Sequence, residues 1–193
     1  MRFFQKMCVI STALVFFGLF APDSHAQAAN SNIGTVTLNA TLAESLTVNV
    51  TAGTIVNFTL ASNTAVNAGS TTSSVTTAWT LKPGRTSVAV WAYFGTAATA
   101  LPHTTAGNTT DIPSSAVKIQ VGGAGAFNAL TAVSPFNAAA SGLQIGAAIA
   151  ITGLNKSGSR TDTLAYQIDT TVVPQLQADL YTGTLNIEAQ ATP

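Results

Sequence analysis

VTTAWTLKPGRTSVAVWAYF, residues 75–94, is the stretch that decides the fold class. Val75, Thr77, Trp79 and Leu81 alternate with Thr76, Ala78 and Thr80, and Val88, Val90, Ala92 and Phe94 alternate with Ala89, Trp91 and Tyr93. A period of two is the mark of a pleated strand with one buried face. Lys82-Pro83-Gly84-Arg85 between the two runs is turn chemistry, because proline presets φ and glycine accepts positive φ. The stretch therefore predicts a β-hairpin. If Lys82 faces Arg85, the pairs are Leu81:Thr86, Trp79:Val88, Thr77:Val90 and Val75:Ala92, with Trp91 and Tyr93 on the opposite face. A Pro-Gly type II turn twists against a two-residue hairpin, so a longer loop that exchanges the faces stays open.

The same alternation extends in both directions. Val36, Leu38, Ala40 and Leu42, then Leu46, Val48 and Val50, stand on even positions with Thr and Asn mostly between them, one apolar face over two strand lengths. Residues 43–45 interrupt it as a bulge or a crossing between sheets. Residues 55–60 predict a short strand with Val56, Phe58 and Leu60 inward, and residues 63–74 a loop. Residues 95–115 read as a long irregular connection and 116–121 as a strand. Residues 122–142 form a second connection anchored by Phe127, Leu130, Val133 and Phe136. Leu143, Ile145, Ala147, Ile149 and Ile151 predict another strand, 155–160 a turn, Leu164, Tyr166 and Ile168 the return, and 181–190 the last strand with Tyr181, Leu185, Ile187 and Ala189 inward. About nine short strands without a helical segment predict an all-β fold, an immunoglobulin-like antiparallel β-sandwich, with a closed barrel as the alternative.

The first 26 residues read as a cleavable signal peptide. Arg2 and Lys6 precede an apolar run from Met7 to Phe20, Pro22 breaks it, and Ser24-His25-Ala26 supplies small residues for cleavage. The expected domains are residues 1–26, the leader, and 27–193, one β-sandwich, exported to the periplasm, cell surface or medium. The apolar run is shorter than the roughly 20 residues a membrane helix needs, so no span is expected in the mature chain. The one cysteine, Cys8, leaves with the leader, so stability must come from the core and the sheet ladders. Only 7% of the chain is charged. No basic patch supports nucleic-acid binding, and few charges oppose strand-to-strand association.

The closing run Leu176-Gln177-Ala178-Asp179-Leu180-Tyr181-Thr182-Gly183-Thr184-Leu185-Asn186-Ile187 resembles the last strand of bacterial secreted β-sandwich subunits of the spore-coat-U and archaic pilin type. The resemblance implies a surface-fibre or coat building block, some members of which donate an N-terminal strand to a neighbour's incomplete sandwich. This chain differs in lacking the disulfide cysteines common there and in ending Ala191-Thr192-Pro193.

Catalytic patterns are sparse. His103 is the one histidine after the leader and Asp111 the carboxylate nearest to it in sequence, but no Gly-x-Ser-x-Gly elbow accompanies them. Asp162, Asp169 and Asp179 lack calcium-loop spacing, and Gly122-Gly123-Ala124-Gly125 opens no helix that would cradle phosphate. No catalytic residue, metal or cofactor is expected, and the protein is read as a non-enzyme. The expected function is a structural or adhesive surface subunit, self-associating or joining other subunits by edge-strand pairing or strand exchange through Val36, Leu38, Leu42, Leu46, Val48, Tyr181, Leu185 and Ile187. The alternative is a carbohydrate-binding module using Trp91 and Tyr93 on a polysaccharide; Trp79 reads as core.

Overall fold

The computed structural model describes residues 31–138 and 140–193. The leader expected over residues 1–26, with Cys8, lies outside them. Residues 31–40 belong to a separate unit from Thr41–Pro193; they carry no strand or helix and are exposed.

The larger unit is two antiparallel sheets facing each other as a β-sandwich. The first sheet runs β1 (Ser45–Ala52), β3 (Ser73–Thr80), β10 (Ser157–Ile168), β5 (Val117–Val121) and β6 (Asn128–Ala129), with the short β2 (Asn67–Ala68) also on β10. The second runs β11 (Asn186–Thr192), β4 (Ser87–Tyr93), β8 (Ser141–Gln144) and β7 (Ala132–Val133), with β9 (Ile149–Ala150) also on β4.

The expected hairpin of residues 75–94 does not form. β3 and β4 lie in different sheets, so none of the pairs from Val75:Ala92 to Leu81:Thr86 exists. The turn itself is present, with Arg85 N donating to Lys82 O at 3.2 Å. Its flanks part company: Leu81 N donates to Lys156 O beside the first sheet, and Thr86 N to Thr192 O at the second. Lys156 Nζ holds the crossing by donating to the carbonyls of Pro83 and Arg85. The physical reason is that both runs have an apolar face. Val75 and Trp79 on β3, and Val88, Val90 and Ala92 on β4, are all buried; opposed across the sandwich they cover each other, whereas side by side they would still need a second layer. The turn geometry, already unsuited to a tight hairpin, permits this crossing.

Other boundaries move for local reasons. β10 begins at Ser157, inside the stretch read as a turn, because Gly158 lies flat against Trp79: a Cβ there would sit 2.9 Å from the indole Cζ2. Trp79 is 6% exposed and donates Nε1–H to Asn155 O at 2.9 Å, so it belongs to the core as expected. The run Leu143–Ile151 is split into β8 and β9 because Gly146 takes φ +65°. Residues 55–60 form no strand beyond a single bridge, Phe58 to Gly69, although Val56, Phe58 and Leu60 still pack on the core. Among the expected anchors of residues 122–142, Leu130 is fully buried, but Val133 is 69% exposed because β7 is an edge strand. The last strand starts at Asn186, five positions later than expected.

Candidate functional site

The two sides of the sandwich are bordered differently. On one, residues 157–162 of β10 have no strand neighbour beyond β3 among the described residues. Arg160 and Asp162 fill that position from within. Arg160 stands opposite Thr77 and Asp162 opposite Val75, both fully buried, so the two charges share the inward face with Leu164, Tyr166 and Ile168. Arg160 Nε donates to Asp162 Oδ2 at 2.8 Å, and its remaining nitrogens reach the carbonyls of Ala147 at 2.7 Å and Ile145 at 2.9 Å. Those carbonyls belong to the break between β8 and β9, so one guanidinium ties the two sheets together and satisfies acceptors that the broken strand leaves over. Inward charge is a recognised protection of an edge against pairing.

On the other stand the edges of β1 and β11, which lie close to each other and pack Leu46, Ala189 and Ala191 on the same part of the core. β1 pairs with β3 and β11 with β4, and neither has another strand neighbour among the described residues. At the end of β1 that holds Val50, a groove of about 980 Å³ enters between the sheets, lined by Val50, Phe94, Leu101, Ile112, Ile168 and Ile187, and walled by residues 53–58 and 176–185. It leads into the main core, its apolar floor mixed with polar residues such as Thr54, Asn57, Gln177 and Thr184.

One wall is held by a carboxylate. Asp179 accepts hydrogen bonds from Thr105 Oγ1 at 2.7 Å, Thr105 N at 3.1 Å, Thr104 Oγ1 at 3.2 Å, Asn108 Nδ2 at 2.8 Å and Leu180 N at 2.7 Å. The Thr105 hydroxyl and the Asn108 amide, ahead of the other donors, hold its pKa well below the usual carboxylate range. Tyr181, expected inward on the last strand, does pack against the main core but lies ahead of β11; it bridges His103, and its hydroxyl donates to Gln177 O. Leu185 and Ile187 do pack on the core at the groove.

The sequence-derived strand residues thus divide. Leu46 and Val48 are inward on β1 and partly buried. Val36, Leu38 and Leu42 are 84%, 89% and 85% exposed and belong to no strand, contrary to the expectation of two strand lengths on one buried face. Trp91 and Tyr93 share the outer face of β4, where Tyr93 stacks on Phe136.

No protein-family model, curated protein or solved structure matches this chain. Its function must therefore be argued from its own geometry. His103 and Asp111 do meet, Nδ1 to Oδ1 at 2.7 Å, and His103 N also donates to the same oxygen at 2.9 Å. That backbone donor, ahead of the ring, lowers the Asp111 pKa. Among the described residues no hydroxyl is hydrogen-bonded to His103 Nε2, so the pair ties together a loop whose Leu101 and Ile112 also bridge. Among the described residues no helix is long and apolar enough to cross a membrane.

Sequence reasoning missed Arg160 and Asp162, although the signal was present. They share the even parity of Leu164, Tyr166 and Ile168; their charge and the neighbouring Ser and Gly suggested a turn instead.

Proposed function

We propose that this protein is a non-enzymatic, exported structural subunit of a bacterial surface assembly, pilus- or coat-like, in which one copy adds a β-strand to the open edge of another. Its support is the groove beside Val50, walled by residues 53–58 and 176–185, together with edges of β1 and β11 that pair with no further strand among the described residues, in a chain whose residues 34–42 hold an unused strand pattern. Val36, Leu38, Ala40 and Leu42 recur at every second position, so an extended segment presents all four to one side. Nine residues extend about 30 Å, comparable to a full strand of this sandwich. Burying each Val or Leu contributes about 1.5–3 kcal/mol, and the free backbone groups of the edge strand that receives it gain partners.

A second copy is the better source of that strand than the same chain. Glu44, just before β1, is tied to Arg85 at 3.0 Å and Lys82 at 3.7 Å, at the end of β1 away from the groove. Self-insertion would require a reversal within the two or three residues at that tether. In this reading the added strand completes an immunoglobulin-like order, and the leader over residues 1–26 carries the subunit to the periplasm, surface or medium.

The test is light scattering over a concentration series for the chain from residue 27 and for one beginning at residue 43. Oligomers or fibres that grow with concentration and vanish on truncation are expected. A folded monomer at every concentration in both would overturn the proposal.

A further inference from the structure

The outer face of the second sheet lies away from the assembly edge and carries its own chemistry. Along β4, Val88, Val90 and Ala92 are fully buried while Ser87, Ala89, Trp91 and Tyr93 face outward and are partly exposed. Residues directly opposite across an antiparallel pair share a face. Trp91 is opposite Glu188 of β11 and Gln144 of β8, so its indole is bracketed by a carboxylate and a carboxamide. Tyr93 is opposite Asn186 on one side and Gly142 on the other. A Cβ on Gly142 would lie 2.7 Å from Ala92 O and 2.9 Å from Tyr93 Cβ, so no larger side chain fits beside the phenol ring. Phe136, from the connection before β8, stacks on Tyr93 with ring centroids 5.8 Å apart and planes at 26°. The Tyr93 hydroxyl donates to Glu188 Oε2 at 2.9 Å, which orients that carboxylate.

From this arrangement we infer that the face binds a neutral polysaccharide, with Trp91, Tyr93 and Phe136 stacking on sugar rings and Glu188, Gln144 and Asn186 taking hydroxyl hydrogen bonds. The lining chooses this partner over the others. β4, β8 and β11 contain no Lys or Arg, so a polyanion would meet Glu188 with nothing to neutralise it. Glu188 accepts from the Tyr93 hydroxyl and Gln144 Nε2 donates to Gly146 O, but an apolar protein surface would bury their remaining polar capacity and the Asn186 side chain, at a cost of roughly 1–3 kcal/mol for each polar group left short of a partner. A sugar presents C–H faces to the rings and hydroxyls to the polar groups on either side, and satisfies both. Trp91 and Tyr93, two residues apart on one strand, are about 7 Å apart along it, comparable to one sugar unit. The inference does not rest on strand exchange: β11 lends it outward side chains, Glu188 and Asn186, and not the backbone edge that an added strand would pair with.

The experiment is retention of the full mature chain on insoluble cellulose, chitin, starch and mannan, with immobilised heparin as the polyanion. Retention on at least one neutral polymer, weakened tenfold or more by Trp91→Ala, is the expected result. Retention on none of them, retention on heparin alone, or retention unchanged in both Trp91→Ala and Tyr93→Ala would overturn the inference. If a variant fails to fold, the unsubstituted chain is titrated with oligosaccharides of the same four polymers and its two indole N–H signals followed by NMR. Movement of the Trp91 signal with that of Trp79 unmoved supports the inference, and an unmoved Trp91 signal overturns it.

Discussion

Arg160 and Asp162 stand two positions apart on β10, point into the sandwich, and share an ion pair of 2.8 Å on the side opposite the groove. The two sides of the sandwich therefore differ, one stopped by inward charge and the other bordered by the apolar inward residues of β1 and β11. Arg160→Ala would leave the Asp162 carboxylate and the Ile145 and Ala147 carbonyls short of a donor. A loss of about 2–3 kcal/mol is expected, since the lost bonds are charge-assisted and largely shielded. Urea unfolding should show a lower midpoint at unchanged slope. Replacing both charges by leucine should cost less stability, yet produce association that persists after residues before 43 are removed.

Thr77, across from Arg160, has a buried hydroxyl with no hydrogen-bond partner among the described residues. Thr77→Val exchanges that hydroxyl for a methyl of similar size on a β-strand. A gain of about 1 kcal/mol is expected, read as a rise in melting temperature.

Trp79 and Gly158 form a lock between β3 and β10. Gly158→Val would drive branched carbon atoms into the indole, which already stands 2.9 Å from the place of a Cβ. Overpacking of this kind costs about 1–3 kcal/mol. Tryptophan emission should shift to the red as the ring moves toward water, which a substitution at an exposed glycine such as Gly84 would not cause.

Asp179 holds the wall of the groove formed by residues 176–185. Asp179→Ala removes the acceptor shared by Thr104, Thr105 and Asn108, so amide exchange should quicken across residues 103–108 and 177–182. Exchange in β3 and β10 should be unchanged. Equal acceleration throughout both sheets would refute a local tether.

Acid should weaken the fold through several carboxylates at once. Asp169 is held by Lys118 at 2.7 Å, Asp111 by the His103 backbone, and Glu44 by Arg85, each with its pKa below the ordinary value. A carboxyl whose folded pKa is lowered binds its proton less readily when folded, so its contribution is complete above the unfolded value, about pH 4, and is lost as pH falls through the folded one. The melting temperature should hold from neutral pH down to about pH 5 and drop below about pH 4. Lys118→Met should lower the neutral-pH value and shrink the acid drop.

Much was legible from the residues alone. Alternation marked Val75, Trp79, Val88, Val90, Ala92, Ile119, Leu164 and Ile168 as inward, and all are buried, because a pleated strand has one side for the core and one for water. Pro83 and Gly84 marked a turn, and Leu46, Val48 and Val50 marked the inward face of β1. What alternation does not carry is the partner. The same period of two serves a strand paired beside its neighbour and a strand stacked against it, so only the tertiary structure decided that β3 and β4 face each other across the core. It also decided that Arg160 and Asp162 plug one side while Leu46 and Val48 pack partly buried on the core and Val36, Leu38 and Leu42 are exposed. Inwardness is local stereochemistry, repeated every second residue; pairing depends on which distant backbone supplies the hydrogen bonds and which apolar face covers which, and that is settled only when all the strands compete for the same core.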